Sequence, residues 1–398
     1  MSSPRRAAHW LNATVLGIGL GSLFSDLSHE AITALLPAML ASYGLAAGLL
    51  GTVEGVADGL SSVAKLFGGW WTDRLTRRKP LGVGGYAVMT AGAALIASAT
   101  IWPMVLAGRV LSWIARGLRT PARKALLAEA VTPATYGRAF GFERTMDTLG
   151  AIMAPLVAVA LLASGWSQRS VLWLAVVPAG VATLAFALGV RETPGHVPNP
   201  QPFWPMLRTL PMDFKRLLRA VGLFGMGDFA PSLLTLYAVQ ALTPAQGVAR
   251  AATVAVGLYA WRNIVAAGIS FPTGWLADRV NKRGLLASGY GAGVAMTGLL
   301  ASGVTSLPLL AAVFTLAGLN AGMQEVLEDA LTAELLPKAA RGTGFGMLAA
   351  VNGLGDFVSS ILVGWLWAAA GSGVAFAAAG IFMLLGMGWA VRLRTHRR

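Results

Sequence analysis

Three residues able to carry charge crowd one stretch of an otherwise apolar run: Asp26, His29 and Glu30, within Ser25-Asp26-Leu27-Ser28-His29-Glu30. Spacings of three and four put all of them on one face of a helix. A second stretch carries Arg109, Arg116, Arg119 and Arg123, spaced seven, three and four, which again makes one stripe. A carboxyl group in apolar surroundings resists ionisation and a nearby guanidinium favours it, so small rearrangements of such a pair can move a proton. The chemistry this suits is proton uptake and release by Asp26 and Glu30, with the arginines holding counter-charge or substrate. The plainer reading is a fixed salt bridge that orients two helices, but two acids and a histidine exceed what one bridge needs. His29 alone reads as a hydrogen-bonded wall residue rather than a ligand. No nucleophile–base pair or metal triad stands at convincing spacing, so no catalytic activity is expected. No Gly-x-x-x-x-Gly-Lys-Ser/Thr loop occurs, so nothing suggests an ATPase.

Charges this deep in apolar sequence need a scaffold. Of 398 residues, 56% are hydrophobic and 12% charged, where soluble domains carry roughly a quarter charged. Apolar runs of about 20 residues recur along the chain, and in lipid only helices or closed barrels satisfy every backbone group. The runs lack the strict alternation of barrel strands. The expected fold is an all-α membrane protein with twelve transmembrane helices over 12–40, 46–70, 81–100, 103–128, 138–163, 168–190, 217–242, 248–271, 284–302, 307–333, 342–367 and 371–392. Between Arg191 and Arg216 the prolines Pro194, Pro198, Pro200, Pro202, Pro205 and Pro211 predict a polar linker that cannot span. It divides the chain into two six-helix bundles, 1–190 and 217–398, joined by 191–216.

The net charge of +14 is distributed as a topology signal. With the amino terminus inside, Arg5, Arg6, the 74–79 cluster, Arg138, Arg191, Arg208, Lys215, Arg279, Arg283, Lys338 and the basic tail fall on the cytoplasmic side, whereas the other face offers little beyond Arg169 and Arg250. Both termini are therefore expected in the cytoplasm of a multi-pass inner (plasma) membrane protein, with lipid and not nucleic acid as its surroundings. Asp26 and Arg116 then lie at similar depth. The chain has no cysteine, which excludes disulfides and thiolate metal sites. The apolar run after Arg6 lacks a small-residue cleavage site and reads as a retained first helix.

A charged knot organises the two halves. Gly69-Trp70-Trp71-Thr72-Asp73-Arg74-Leu75-Thr76-Arg77-Arg78-Lys79 recurs as Gly274-Trp275-Leu276-Ala277-Asp278-Arg279-Val280-Asn281-Lys282-Arg283, an offset of 205 residues. The same offset carries Ala125–Glu129 onto Ala330–Glu334, and Gly137, Phe140 and Gly141 onto Gly342, Phe345 and Gly346. One register aligns distant motifs, so the chain is two copies of one unit. It also aligns Arg119, Arg123 and Lys124 with Gln324, Glu328 and Asp329. Positive groups of one bundle thus correspond to negative groups of the other, as in a cytoplasmic gate of Arg119 or Arg123 with Glu325 or Glu328; alternatively Glu325 is itself a proton or cation site.

The G-x-x-x-D-R-x-x-R-R pattern between the second and third apolar segments, echoed in the second half, resembles the signature loop of the major facilitator superfamily, with Thr76 where that family usually has Gly. The resemblance implies two pseudo-symmetric bundles that rock about a site near the midplane, with helices one, four, seven and ten lining a central cavity. It implies that both charged stripes face that cavity. Asp228, beside Gly225, Gly227 and Pro231, is then a further lining residue. It implies a latch in which Asp73 meets the start of the eleventh helix near Gly342 and Asp278 the start of the fifth, while Arg74, Arg77 and Lys282 pair with Glu129 and Glu334. Gly69, Arg78, Gly274 and Arg279 belong to the same motif. Asp147 and Arg262 lie at comparable depth on helices that meet across the bundle interface in that family, and read as a static bridge. Glu54, Asp58 and Asp356 read as interface residues.

Gly141, Gly150 and Ala154-Pro155 resemble that superfamily's antiporter motif, with Ala154 where Gly is usual and no Gly pair after Pro155. Small residues at this spacing also simply let helices approach. The expected activity is proton-coupled secondary transport, preferentially export of a small polar or charged molecule, by a monomer without cofactor. A transition-metal or organic-cation transporter using Asp26, His29 and Glu30 is one alternative, and a sensor or lipid-handling protein on the same fold another. Met226, Met323 and Met347 could suit a soft metal but read as packing.

Overall fold

A computed structural model describes residues 9–42, 47–192, 198–199 and 201–392. Among them every regular element is helical: α1 (Ala13–Ser42), α2 (Ala47–Arg74), α3 (Lys79–Ser98), α4 (Trp102–Glu129), α5 (Tyr136–Ala163), α6 (Gln168–Gly189), α7 (Phe203–Thr209), α8 (Met212–Gly225), α9 (Pro231–Gln246), α10 (Val248–Ala277), α11 (Lys282–Ala301), α12 (Leu307–Leu335), α13 (Arg341–Ala370) and α14 (Ser372–Val391). Local chemistry sets several ends. Asn12 Oδ1 accepts the Thr14 and Val15 N–H groups at 3.0 and 3.1 Å and so caps α1. Pro80, Pro103 and Pro231 occupy the first turns of α3, α4 and α9, where the missing N–H costs nothing. Gly247, at φ +76°, turns the chain from α9 straight into α10. Among the described residues eight helices are long and apolar enough to cross a membrane. α4 is not one of them, because it carries Arg109, Arg116, Arg119, Arg123 and Lys124.

The chain forms two compact units, Met1–Thr209 with Leu336–Met347, and Leu210–Leu335 with Leu348–Arg398. In the first, α1 packs on α5 and α6, α3 on α4 and α6, and α2 on α4; in the second, α10 packs on α9 and α12, α11 on α12 and α14, and α8 on α14. Under the 205-residue offset α1–α6, α2–α4, α3–α4 and α3–α6 correspond to α8–α14, α10–α12, α11–α12 and α11–α14, so these parts of the sequence repeat are repeated in packing. One end of the first unit is closed by Ile32, Leu35, Leu36, Ile96, Val105 and Leu172, all buried. The charged loop between α2 and α3 lies at its other end. Leu156, Val159 and Leu188 in the first unit, and Trp365 and Ile381 in the second, stay exposed on the outer faces, as side chains do when lipid is the solvent.

Two elements differ from the sequence expectation. The segment 191–216 contains a short helix, α7, because Phe203 and Met206 give it an apolar side. Phe203 stacks on Phe67 of α2 with centroids 5.5 Å apart, and Met206 is buried. The helix expected over 217–242 is broken: α8 stops at Gly225 and α9 starts at Pro231. Pro231 has no N–H with which to continue the α8 ladder. The Ala230 N–H goes instead to Ser360 Oγ at 2.9 Å. A Cβ on Gly227 would lie 2.2 Å from the Ala379 carbonyl oxygen, so only glycine lets the turn sit against α14.

Candidate functional site

In the first unit α1 and α4 bring their charged stripes together. Arg116 Nη2 lies 3.0 Å from Asp26 Oδ1 and donates to Oδ2 at 3.3 Å; the Asp26 side chain is 6% exposed and that of Arg116 21%. Glu30 and Asp147 act on Asp26 electrostatically, so two further acids compete for the same cations. Arg119 donates to Ser25 Oγ at 2.8 Å, packs its guanidinium over the Tyr86 ring at 3.7 Å and has no acid partner among the described residues. Its Nη1 is buried without a hydrogen-bond partner. Arg109 donates to Thr33 Oγ1 at 2.8 Å, and both Arg109 and Arg116 approach the face of Trp113, at 5.7 and 5.6 Å.

His29 meets Trp113 edge-on at 4.9 Å and lines a cavity of about 20 Å³ with Ser25, Ser28, Tyr86 and Ser112. That volume holds roughly one water, and its walls are half apolar, with Ile32, Met89 and Ala93 beside the polar groups. His29 thus lines this cavity beside Trp113. Among the described residues no group of three or more His, Asp or Glu converges as a metal site. The alternative that joined Asp26, His29 and Glu30 on a transition metal therefore has no geometric support.

One turn further along α4, Arg123 is held by acids of α5: Glu143 at 2.8 Å and Asp147 at 3.8 Å. Ser22 of α1 accepts from Arg123 and donates to Glu143 at 2.8 Å. Asp147 also takes Arg144 at 3.0 Å. Glu143 escaped the sequence reading, although its spacing of four from Asp147 was the available signal.

The signature loop builds an ionic cluster at the other end of this unit. Asp73 is fully buried; its Oδ1 accepts the Gly342 N–H at 2.8 Å and its Oδ2 the Thr343 N–H at 2.7 Å. A side chain from α2 thereby caps the amino terminus of α13, where N–H groups lack partners and the helix dipole favours negative charge. The backbones touch: a Cβ on Gly69 would lie 2.3 Å from the Gly342 oxygen, and one on Gly346 2.5 Å from that of Lys65. Arg78, also fully buried, bridges Asp73 at 2.9 Å and Glu129, and donates to the Lys338 carbonyl at 3.0 Å. The partner of Glu129 is thus Arg78 and not Arg74 or Arg77. Arg74 lies over the Trp70 ring at 4.8 Å, and its counterpart Arg279 lies over Trp275 at 3.3 Å. Both are exposed, as is Arg77.

In the second unit Lys282 pairs with Glu334 at 3.0 Å, as expected. Asp278 caps the end of α10, after Gly274 and before Arg279. Asp228 sits in the α8–α9 break, where Arg262 and Glu325 act on it. Arg262 also donates to Asn263 at 3.0 Å. Glu328, fully buried, accepts from Tyr290 at 2.7 Å and from Asn352 at 2.8 Å. Asp329 beside it is buried as well. Glu54 and Asp58 lie outside the residues whose side chains are described, and Asp356 is exposed.

A family model described as the Major Facilitator Superfamily matches residues 18–260 and 222–398. An uncharacterized MFS-type transporter of Methanocaldococcus jannaschii is 28% identical over 365 residues, 90% of this chain and 89% of its own length. An uncharacterized protein of Mycobacterium tuberculosis is 27% identical over 376 residues, 90% and 87% of the two chains. Among solved structures, the Escherichia coli fucose:proton symporter superimposes with a TM-score of 0.79 at 16% identity, over 97% of this chain and 99% of that one. The human organic anion transporter MFSD10 does so with 0.75 at 17%, over 95% and 99%.

Proposed function

The chain belongs to the major facilitator superfamily, a multi-pass membrane family of secondary transporters, and on that premise we propose that it moves a small polar or charged molecule by proton-coupled alternating access. The carrying observation is the buried Asp26–Arg116 pair. Arg116 pairs with Asp26, and Asp26 feels Arg116 and Arg123 against two further acids, Asp147 and Glu30. A proton on Asp26 neutralises the carboxylate, leaves the pair with one positive charge and so frees Arg116 to hold a polar or anionic group of the substrate; departure of that group returns Arg116 to the carboxyl group, which gives up its proton. Arg119, buried with Asp26 and Asp147 acting on it only at a distance and no ion pair of its own among the described residues, supports a substrate that brings negative charge of its own.

Because carboxylate and substrate compete for the same guanidinium, proton and substrate occupy the site together and their binding is coupled. The Gly141–Pro155 pattern supports export in addition to its packing role, since a Cβ on Gly150 would meet the Leu23 oxygen at 2.3 Å. In this reading the cap of Asp73 on Gly342 and Thr343, with Arg78 and Glu129, is the latch that forms and breaks in each cycle, and both termini face the cytoplasm.

The test is solute movement in proteoliposomes under an imposed pH gradient, screened across organic anions, organic cations and neutral polar solutes. Gradient-driven movement of an anionic or polar class is expected. Movement indifferent to the gradient for every transported class would remove proton coupling.

A further inference from the structure

The outer face of α2 marks where the lipid-facing surface of the first unit ends. Leu60, Val63, Phe67 and Trp71, spaced three, four and four, form one stripe and are all exposed. Three residues after Trp71 the chain turns basic, with Arg74 and Arg77 exposed and Lys79 opening α3. Apolar surface that gives way so abruptly to exposed cations belongs at the headgroup level of a bilayer, where tryptophan also collects.

The short helix α7 sits at that level. Phe203 stacks on Phe67 at 5.5 Å and meets Trp70 edge-on at 6.3 Å, while the Trp70 indole N–H donates to the Gln201 carbonyl at 3.2 Å. Phe203 and Met206 lie on one side of α7, and Trp204 and Arg208, four residues apart, on the other. Met206 is buried, whereas Trp204 is 73% exposed and Arg208 is exposed with it. An indole this open gains by entering a bilayer interface, where its ring is covered and its N–H stays wet. The exposed charge beside it is positive. The acids Asp73, Glu129 and Glu192 all accept from Arg78, and Asp213 in the following helix pairs with Arg216 at 2.9 Å.

The inner side of the same segment rests on the α13 cap. The Asn199 N–H donates to the Asp73 carbonyl at 2.9 Å, and the Thr343 hydroxyl donates to Met206 Sδ at 3.3 Å. Asp73 and Thr343 are themselves acceptor and donor in the cap.

We infer that α7 is a membrane-surface anchor: its Trp204–Arg208 side docks among anionic phospholipid headgroups, with Arg74 and Arg77 sharing their charge, and its Phe203–Met206 side passes that hold to the Asp73 cap. Each cation near such a surface adds to the attraction, and the aromatic ring fixes the depth. With lipid on its outer side α7 lifts less often from α2, so the start of α13 opens less often. Anionic lipid thereby regulates this end of the molecule. The inference concerns neither the solute nor the coupling ion, and it stands whether or not protons drive transport.

The test uses the full chain in vesicles of phosphatidylcholine alone, or of phosphatidylcholine and phosphatidylglycerol in equal parts. The chain has no cysteine, so Pro205→Cys gives a single labelling site beside Trp204. A fluorophore there should be quenched by phospholipids brominated close to the headgroup, and adding Trp204→Gln should relieve the quenching. Amide exchange over 198–209 and Leu336–Met347 should be slower with phosphatidylglycerol present, and Arg208→Gln should shrink that difference about fivefold. Both variants change exposed side chains and should keep the native thermal midpoint in detergent. A label that the brominated lipids do not quench, or equal exchange in the two lipids, would overturn the anchor. Equal slowing by free glycerol phosphate in neutral vesicles would overturn it too, in favour of a soluble-anion site. Quenching with unchanged exchange over Leu336–Met347 would overturn the hold on the cap.

Discussion

Replacing Asp73 with Asn tests the cap on α13 without changing its shape. Asp73 accepts two backbone N–H groups at 2.8 and 2.7 Å and pairs with Arg78 at 2.9 Å, all buried. Asparagine keeps one acceptor oxygen and turns an NH2 group towards the second N–H. That loses one hydrogen bond to a charged acceptor and strands a buried donor, about 1.5–3 kcal/mol. The lost attraction to Arg78 is partly offset, because Glu129 and the Thr72 and Lys338 carbonyls still hold that guanidinium. A net loss of about 3 kcal/mol corresponds to roughly a hundredfold larger open population. Amide hydrogen exchange over Leu336–Met347 reads it directly, with Gly342 and Thr343 exchanging about a hundred times faster while the 102–129 helix is unaffected. A change below about threefold would refute the assignment of Asp73 as the cap, and with it the proposed latch.

Other perturbations follow from the same geometry. Glu143→Gln leaves Arg123 with Asp147 at 3.8 Å and should destabilise the first unit by about 3 kcal/mol, seen as a lower thermal midpoint; an unchanged midpoint would mean the pair is not held as described. Gly227→Ala places a Cβ 2.2 Å from a backbone oxygen and should lower the midpoint, whereas Gly268→Ala, with open space around it, should leave it equal or higher; equal effects would contradict the packing of the break. Arg119→Lys removes the planar contact with Tyr86 and should weaken binding of an anionic solute by tenfold or more while leaving the fold intact, measured by counterflow.

The spans were legible because hydropathy and helical spacing are local properties, and the loop at Asp73 because its repeat at Asp278 fixed a register. The cap on Gly342 followed from that loop by family resemblance. Partner choice was harder to read. Arg74, Arg77 and Arg78 are equivalent in sequence, yet only Arg78 turns inward between Asp73 and Glu129, which a string of basic residues cannot specify. The break before Pro231 carried its signal in Gly225, Gly227 and Pro231, but hydropathy alone joined the flanks into one helix. Asn352 drew no attention because it is uncharged, although the offset already placed it opposite Asp147. Met206 and Phe203 were hidden among the prolines that marked 191–216 as a linker.

Coupling through Asp26 is most directly tested by solute movement driven by a pH gradient in proteoliposomes of the native chain and of Asp26→Asn. The account predicts that gradient-driven movement is lost in Asp26→Asn while solute-for-solute exchange continues. Gradient-driven movement that survives unchanged in both Asp26→Asn and Glu30→Gln would contradict it.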